Sequence, residues 1–169
     1  EGGPFFKMAY NELFKEAGID TILSYDTLEA DDCIAITTRE VLKKYPDAEI
    51  YIVTSDMDYL QLWDNQCDIV NLQGKYLVEK KNSYRDGDKN LFMKIVLGDK
   101  SDNIQPVFKR CSVKEAENLY DDMASFEEKV NEEDCYERLL LNKVIIDFDE
   151  IPLELQNKIK KKVKNIIQS

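Results

Sequence analysis

The chain has 169 residues, 43% hydrophobic and 34% charged, with a formal net charge of −11 and no histidine. This is the profile of a globular domain able to bury a core, and no apolar run approaches the ~18 residues that cross a bilayer. Without histidine there is no Ser-His or Cys-His nucleophilic catalysis. The four cysteines form no C-x-x-C pair, which argues against zinc and against a disulfide framework. Hydrolysis by such a chain must rest on carboxylates, lysine or a metal. The negative balance by itself argues against a phosphate-rich partner, but seven of the acids fall in three short clusters, so the average hides where the charge sits. The opening Glu1-Gly2-Gly3-Pro4 has no basic stretch ahead of an apolar one, which predicts a protein that is not secreted but located in the cytoplasm. There is no initiator methionine, so the chain reads as starting partway into a longer protein.

Between Phe5 and Ala17, Phe6, Ala9, Tyr10, Leu13, Phe14 and Ala17 recur at helical spacing, predicting an amphipathic helix that Gly18 stops. Ile19 to Ser24 reads as a short strand. Glu29 opens a helix to about Tyr45, with Ala30, Cys33, Ile34, Thr37, Val41 and Leu42 inward and Pro46 as breaker. Glu29, Asp31 and Asp32 crowd its first turn. The helix dipole accounts for one or two acids there, not for three beside a further cluster. Glu49 to Thr54 is a buried strand by its β-branched and aromatic content. The order strand, helix, strand predicts a parallel sheet with a right-handed crossover. Ligands of such sheets bind beyond the carboxyl ends of the strands, where Thr54-Ser55-Asp56-Met57-Asp58 falls. Capping of a short helix from Met57 to Trp63 explains one of those aspartates but not both.

Asp68 to Leu72 reads as another strand, Gly74 to Lys81 as a hairpin arm, and Tyr84 to Asp88 as a turn in which Asp86 and Asp88 are solvated. A helix from Lys89 to Leu97 ends at Gly98. In Gly98-Asp99-Lys100-Ser101-Asp102-Asn103 the two aspartates either point at one cation or form an Asx turn and cap; the local pattern leaves both readings open. Ser112 with Glu115 is a capping box opening a helix through Tyr120. Lys109, Arg110 and Lys114 around that helix start make either an anion site or a solvated basic turn. Helices follow at Ser125 to Val130 and Tyr136 to Val144. From Leu153 the tail sets Leu155, Ile159, Val163, Ile166 and Ile167 on one face and Lys158, Lys160, Lys161, Lys162 and Lys164 around the rest. It reads as a packed surface helix or as a phosphate- or partner-binding one. The compositional shift near Gly98 divides the chain into 1–97 and 98–169.

Acids this dense repel one another unless a cation fills the space between them. That points to a divalent-metal phosphodiester hydrolase. Mg²⁺ prefers hard oxygen ligands, and two such ions roughly 4 Å apart can activate water, neutralise the scissile phosphate and stabilise the leaving oxygen.

Three stretches, Glu29-Ala30-Asp31-Asp32, Thr54-Ser55-Asp56-Met57-Asp58 and Gly98-Asp99-Lys100-Ser101-Asp102-Asn103, resemble in order and interval the acidic motifs of the 5′-nuclease superfamily. That group includes flap endonucleases, the 5′–3′ exonuclease domain of bacterial DNA polymerase I and phage ribonuclease H. Leu141 to Pro152 is similar to a C-terminal stretch of the phage ribonuclease H branch. The resemblance implies an α/β, PIN-like fold: a central, mostly parallel, Rossmann-like sheet with flanking helices, then a C-terminal helical region. It also implies a helix-three-turn-helix element over Val107 to Leu119, with Lys109, Arg110 and Lys114 near duplex phosphates. The family's glycine-rich turn and its monovalent-cation site are replaced there by Phe108-Lys109-Arg110-Cys111-Ser112. Nothing before Phe5 supplies the family's first strand with its metal-binding aspartate, or the arch that engages the 5′ end. The chain therefore reads as a catalytic domain lacking its N-terminal third.

On this resemblance Asp31, Asp32, Asp56 and Asp58 are catalytic. Glu29, Asp31, Asp32 and Asp56 serve one Mg²⁺, and Asp58, Asp99 and Asp102 a second, with Mn²⁺ able to substitute. The implied substrate is DNA or an RNA–DNA hybrid with a free 5′ end or flap, in primer removal, replication and repair, with replication proteins as partners and no membrane. Two rivals stand beside it. One is a non-catalytic nucleic-acid-binding remnant or partner subunit of the same fold. The other is a PIN-type ribonuclease acting on single-stranded RNA, which leaves the third motif and the helical tail unexplained.

Overall fold

The structure, a computed structural model, describes residues 3–19 and 21–168. In chain order it comprises α1 (Gly3–Met8), a π-helical segment Ala9–Leu13, α2 (Phe14–Glu16), α3 (Ala30–Lys44), β1 (Ile50–Val53), β2 (Cys67–Val70), α4 (Gly87–Leu97), α5 (Val113–Asp121), α6 (Met123–Glu132), α7 (Tyr136–Ile146) and α8 (Leu153–Gln168). Short 3-10 turns lie at Asp58–Leu62, Leu77–Glu79 and Phe148–Glu150.

Among the described residues the sheet has two strands. β1 and β2 run parallel, Ile50 opposite Cys67 and Val53 opposite Val70. One face carries Ile52, Cys67 and Ile69 into a core completed by Tyr59, Leu60, Leu77 and Val78. Tyr51 and Val53 point the other way and remain exposed. A second core joins α3 to α8: Cys33, Ala35 and Ile36 meet Ile159 and Val163, with Phe148 and Ile151 closing the gap. The third and largest binds α4 to the later helices, with Met93, Ile95 and Val96 against Val107, Phe108, Ala116, Leu119, Phe126, Val130 and Ile146.

Several expected elements differ. Residues 3–16 are helical, yet Phe5, Phe6, Tyr10 and Leu13 stay exposed and Ala9 alone of this stretch is buried. Periodicity specifies the helix; burial needs a surface to cover the apolar stripe, and the described residues leave it uncovered. Ile19 to Ser24 forms no strand (Asp20 lies outside the described residues). A strand exists only through a partner's hydrogen bonds, and β1 pairs with β2 rather than with this stretch. Among the described residues no strand precedes α3 to complete a strand–helix–strand crossover, and β1 reaches β2 through the 3-10 turn Asp58–Leu62. Gly74 to Lys81 is no hairpin arm. A turn at Asn71–Gly74 and a single antiparallel bridge between Val70 and Tyr76 lead into the 3-10 turn Leu77–Glu79. Within α3, Ala30 faces solvent instead of the interior. All four cysteines are free, and no described helix is long and apolar enough to cross a membrane.

Two phenols lock α4 to α5 reciprocally. The Tyr84 hydroxyl, just ahead of α4, donates to Glu117 at 2.7 Å. The Tyr120 hydroxyl on α5 donates at 3.1 Å to Asp86, the cap of α4. Burial first, then the bond to the carboxylate, pushes both hydroxyls up to about 12. A phenol whose folded pKa exceeds its unfolded value of ~10 contributes stability that is complete below pH ~10 and lost as pH rises toward the folded value. The melting temperature should therefore fall between pH ~10 and ~12, more steeply in the wild type than in Tyr84→Phe/Tyr120→Phe. Equal slopes in thermal melts across that range would show that these phenols do not carry the alkaline transition.

Candidate metal centre

The sheet delivers one aspartate turn. Thr54 continues the ladder, its N–H donating to Val70 O at 2.8 Å. Its hydroxyl then accepts the Asp56 N–H at 3.1 Å, and Asp56 Oδ1 accepts the Asp58 N–H at 2.9 Å. These nested side-chain bonds fold the chain just beyond β1 and aim Asp58 at α4. The end of α4 delivers the other. Gly98 turns the backbone out at φ 69°, ψ −176°. Asp99 and Ile104 exchange N–H···O bonds of 3.0 and 2.7 Å, closing a tight loop. Asp99 Oδ1 accepts the Ser101 N–H at 2.7 Å and also the Ser101 hydroxyl.

Between these two aspartate-bearing segments lies the ammonium of Lys94, on the last turn of α4. It pairs with Asp58, with Asp99 at 3.2 Å and with Asp102 at 3.6 Å. One carboxylate oxygen from each of Asp58, Asp99 and Asp102 lies within 4.8 Å of the others. The Ser101 hydroxyl, with the Ser101 N–H and Lys94, outweighs desolvation and holds the Asp99 carboxyl down at about 2. Asp99 is thus a stable anion throughout the neutral range.

The other four acids lie at the start of α3 and in the turn after β1. Glu29 is its cap residue and is exposed; its N–H donates to Asp32 Oδ2 at 3.2 Å. Asp31 Oδ1 accepts the Asp32 N–H at 2.9 Å. Part of the acid density here therefore serves the helix start, as the dipole predicts. Burial raises the Asp32 carboxyl, with Asp31 adding to it and the Glu29 N–H opposing. Both acid-bearing segments act on one phenol: burial, then the charges of Asp31 and Asp56 with a smaller share from Asp32, pushes the Tyr59 hydroxyl up to about 12. Among the described residues Asp58, Asp99 and Asp102 are the one group of three acidic or thiol side chains whose ligand atoms come so close; Glu29, Asp31, Asp32 and Asp56 form no second such group.

Lys109, Arg110 and Lys114 are exposed around the start of α5. Ser112 caps that helix by accepting the Glu115 N–H at 3.1 Å, and the Lys109 N–H donates to Glu133 at 3.1 Å. The stretch from Val107 is irregular up to Ser112 and helical from Val113, with residues 98–112 linking α4 to α5. The basic tail is occupied differently. Lys162 donates to Ser24 O at 2.9 Å and lies over the Tyr25 ring, Lys164 pairs with Glu40 at 3.8 Å, and Ile159 and Val163 are buried against α3. That arrangement is the packed surface helix of the two sequence readings.

Lys94 and Tyr59 escaped the sequence reading. Lys94 carried one signal: it is a lone cation between the apolar pairs Phe92-Met93 and Ile95-Val96, one turn ahead of Gly98-Asp99. Such a lysine must find anions when its helix packs.

Residues 7–86 match the family model described as the 5′-3′ exonuclease, N-terminal resolvase-like domain. No curated protein sequence matches the chain. Among solved structures, a bacteriophage T5 5′-exonuclease mutant is similar with a TM-score of 0.76 at 17% identity, over 96% of this chain and 76% of that one. A bacteriophage T5 flap endonuclease pseudo-enzyme–product complex with DNA and metal ions is similar at 0.74 and 17%, over 98% and 69%. T5 5′-exonuclease with divalent metal ions (zinc) bound is similar at 0.72 and 17%, over 96% and 68%. At such identity the likeness establishes the shared fold, an α/β architecture with a parallel sheet and flanking helices of the PIN-like type. The chain is thus similar to that family model over residues 7–86 and shares the fold of these nucleases along nearly its whole length.

Proposed function

We propose that the chain is the core of a divalent-metal-dependent 5′–3′ nuclease, hydrolysing phosphodiesters at a free 5′ end or flap of DNA or an RNA–DNA hybrid. The observation that carries this reading is the meeting of Asp58 with Asp99 and Asp102 around one cationic group. Their donors are all carboxylate oxygens, the hard ligands that suit Mg²⁺ or Mn²⁺, and the place they enclose already attracts positive charge. Asp58, Asp99 and Asp102 would hold one ion. Asp31, Asp32 and Asp56, with Glu29 directly or through water, would hold or orient the other. Bound ions supply charge neutralisation at the scissile phosphate and an acidified water. The chain's own residues do the positioning: Ser101 fixes the Asp99 carboxylate, and the Thr54–Asp56–Asp58 relay fixes the turn. Lys109, Arg110 and Lys114 at the start of α5 suit the phosphates of a duplex, in the role of a helix-three-turn-helix element.

The test is cleavage of a 5′-flapped duplex, an RNA–DNA hybrid and single-stranded RNA, in Mg²⁺ and in EDTA. Mg²⁺-dependent cleavage of the first two is expected, and Asp56→Ala should reduce it by about 10²-fold or more. Undiminished cleavage by the variant removes Asp56 from the site. Preference for single-stranded RNA supports a PIN-type ribonuclease. Duplex binding in EDTA without turnover in Mg²⁺ or Mn²⁺ supports a binding module.

A further inference from the structure

Lys94 has a place in this site that the acids alone do not explain. Its ammonium is the group that the three carboxylates share, and its side chain is only 14% exposed. Three carboxylates within 4.8 Å with one ammonium leave the cluster anionic. The backbone that carries the acids does not depend on the lysine for its path, however. The Thr54–Asp56–Asp58 relay sets one of them, and the Asp99–Ile104 and Asp99–Ser101 bonds set the third-motif loop. The cluster would therefore persist without the ammonium, as an open cation position.

We propose that Lys94 is a resident counter-ion: its ammonium holds the cation position among Asp58, Asp99 and Asp102, and a divalent ion takes that position only by displacing it. The proposal rests on the metal-centre reading above. Two facts favour exchange over joint occupancy. A divalent ion bound by the same oxygens would lie within a few ångströms of the ammonium, where two cations repel strongly because little water screens them. Lysine also has a flexible four-carbon stem, and a mostly apolar cavity of 170 Å³, with Asp58, Gln61, Asn82 and Asn90 in its wall, adjoins it and can take that stem. In the metal-free protein Lys94 thus relieves the repulsion among the aspartates. It also sets a threshold of ion concentration below which the site stays closed.

The experiment pairs amine labelling with ion binding on the full chain. In wild-type protein, labelling of Lys94 by an amine-reactive reagent, read by peptide mass spectrometry, should be slow without metal and several-fold faster at saturating Mn²⁺, while labelling of exposed Lys114 stays constant. Lys94→Gln should bind Mn²⁺ about tenfold more tightly than wild type by calorimetry, and Lys94→Arg, which keeps the charge, should not. Unchanged labelling of Lys94 at saturating Mn²⁺, or weaker Mn²⁺ binding by Lys94→Gln, overturns the displacement while leaving the metal centre standing. If neither wild type nor Lys94→Gln binds Mn²⁺, the metal centre itself is wrong and the displacement falls with it.

Discussion

Asp58→Asn is expected to lower Mg²⁺-dependent cleavage by about 10²- to 10³-fold, a barrier increase of about 3 to 4 kcal/mol. Asp58 links the turn after β1 to the loop after α4, and it is the only member of the triad that the first segment supplies. Asparagine keeps its shape and a ligand oxygen but removes the charge that binds a cation. Asp102→Asn should cost less, since the Asp102 side chain is 53% exposed and makes the longest of the three contacts to Lys94, at 3.6 Å. Folding should change little in either variant, because deleting one of three crowded carboxylates relieves repulsion as it removes an ion pair. Single-turnover rates, Mn²⁺ titrations and thermal melts of both variants give the comparison. Wild-type cleavage by Asp58→Asn would take the residue out of the site, and a large loss of melting temperature would show a structural rather than a metal-binding role.

Gly98→Ala should be the most damaging single-methyl change in the chain. At φ 69°, ψ −176° the residue occupies a backbone region that is almost wholly glycine's, and forcing a side chain there costs about 1 to 3 kcal/mol. The added Cβ would also strike backbone, 2.7 Å from Gln105 C and 2.8 Å from Pro106 N, with Ile104 O closer still. Backbone on both sides leaves nothing flexible to yield, so overpacking adds about 1 to 3 kcal/mol. The loss is therefore expected to reach about 3 kcal/mol or more. Because the same glycine starts the Asp99–Ile104 loop, divalent-ion binding should fall with stability. Denaturant melts with and without Mn²⁺ measure both. A variant as stable as the wild type would mean that the loop does not close in the way described.

Local rules carried much of the helical part of the fold. The capping of α5 by Ser112, the stop at Gly98 and the lysine-rich amphipathic tail were all visible in the order of residues, because caps, breakers and 3.6-residue periodicity act within a few positions. The failures share one cause. Ile19 to Ser24 and Gly74 to Lys81 have strand-like composition, but a strand is completed by another strand, and no local pattern tells whether a partner exists. The N-terminal helix is similar: Phe5, Phe6, Tyr10 and Leu13 repeat correctly, yet what covers them is decided elsewhere.

The same division holds at the candidate site. The sequence by itself determined that three acid-rich stretches exist, that histidine and paired cysteines are excluded as ligands, and that each stretch sits at a strand end, a helix start or a glycine-closed loop. Only the tertiary structure decided that Asp58 joins Asp99 and Asp102, while Asp31 and Asp56 act together on Tyr59 and Glu29 stays exposed. It also brought Lys94 into the triad. The physical reason is range. Hydrogen bonds of turns and caps are written within a few residues, whereas the field at a carboxylate sums over every charge that packing brings within several ångströms, from segments that have no local cause to meet.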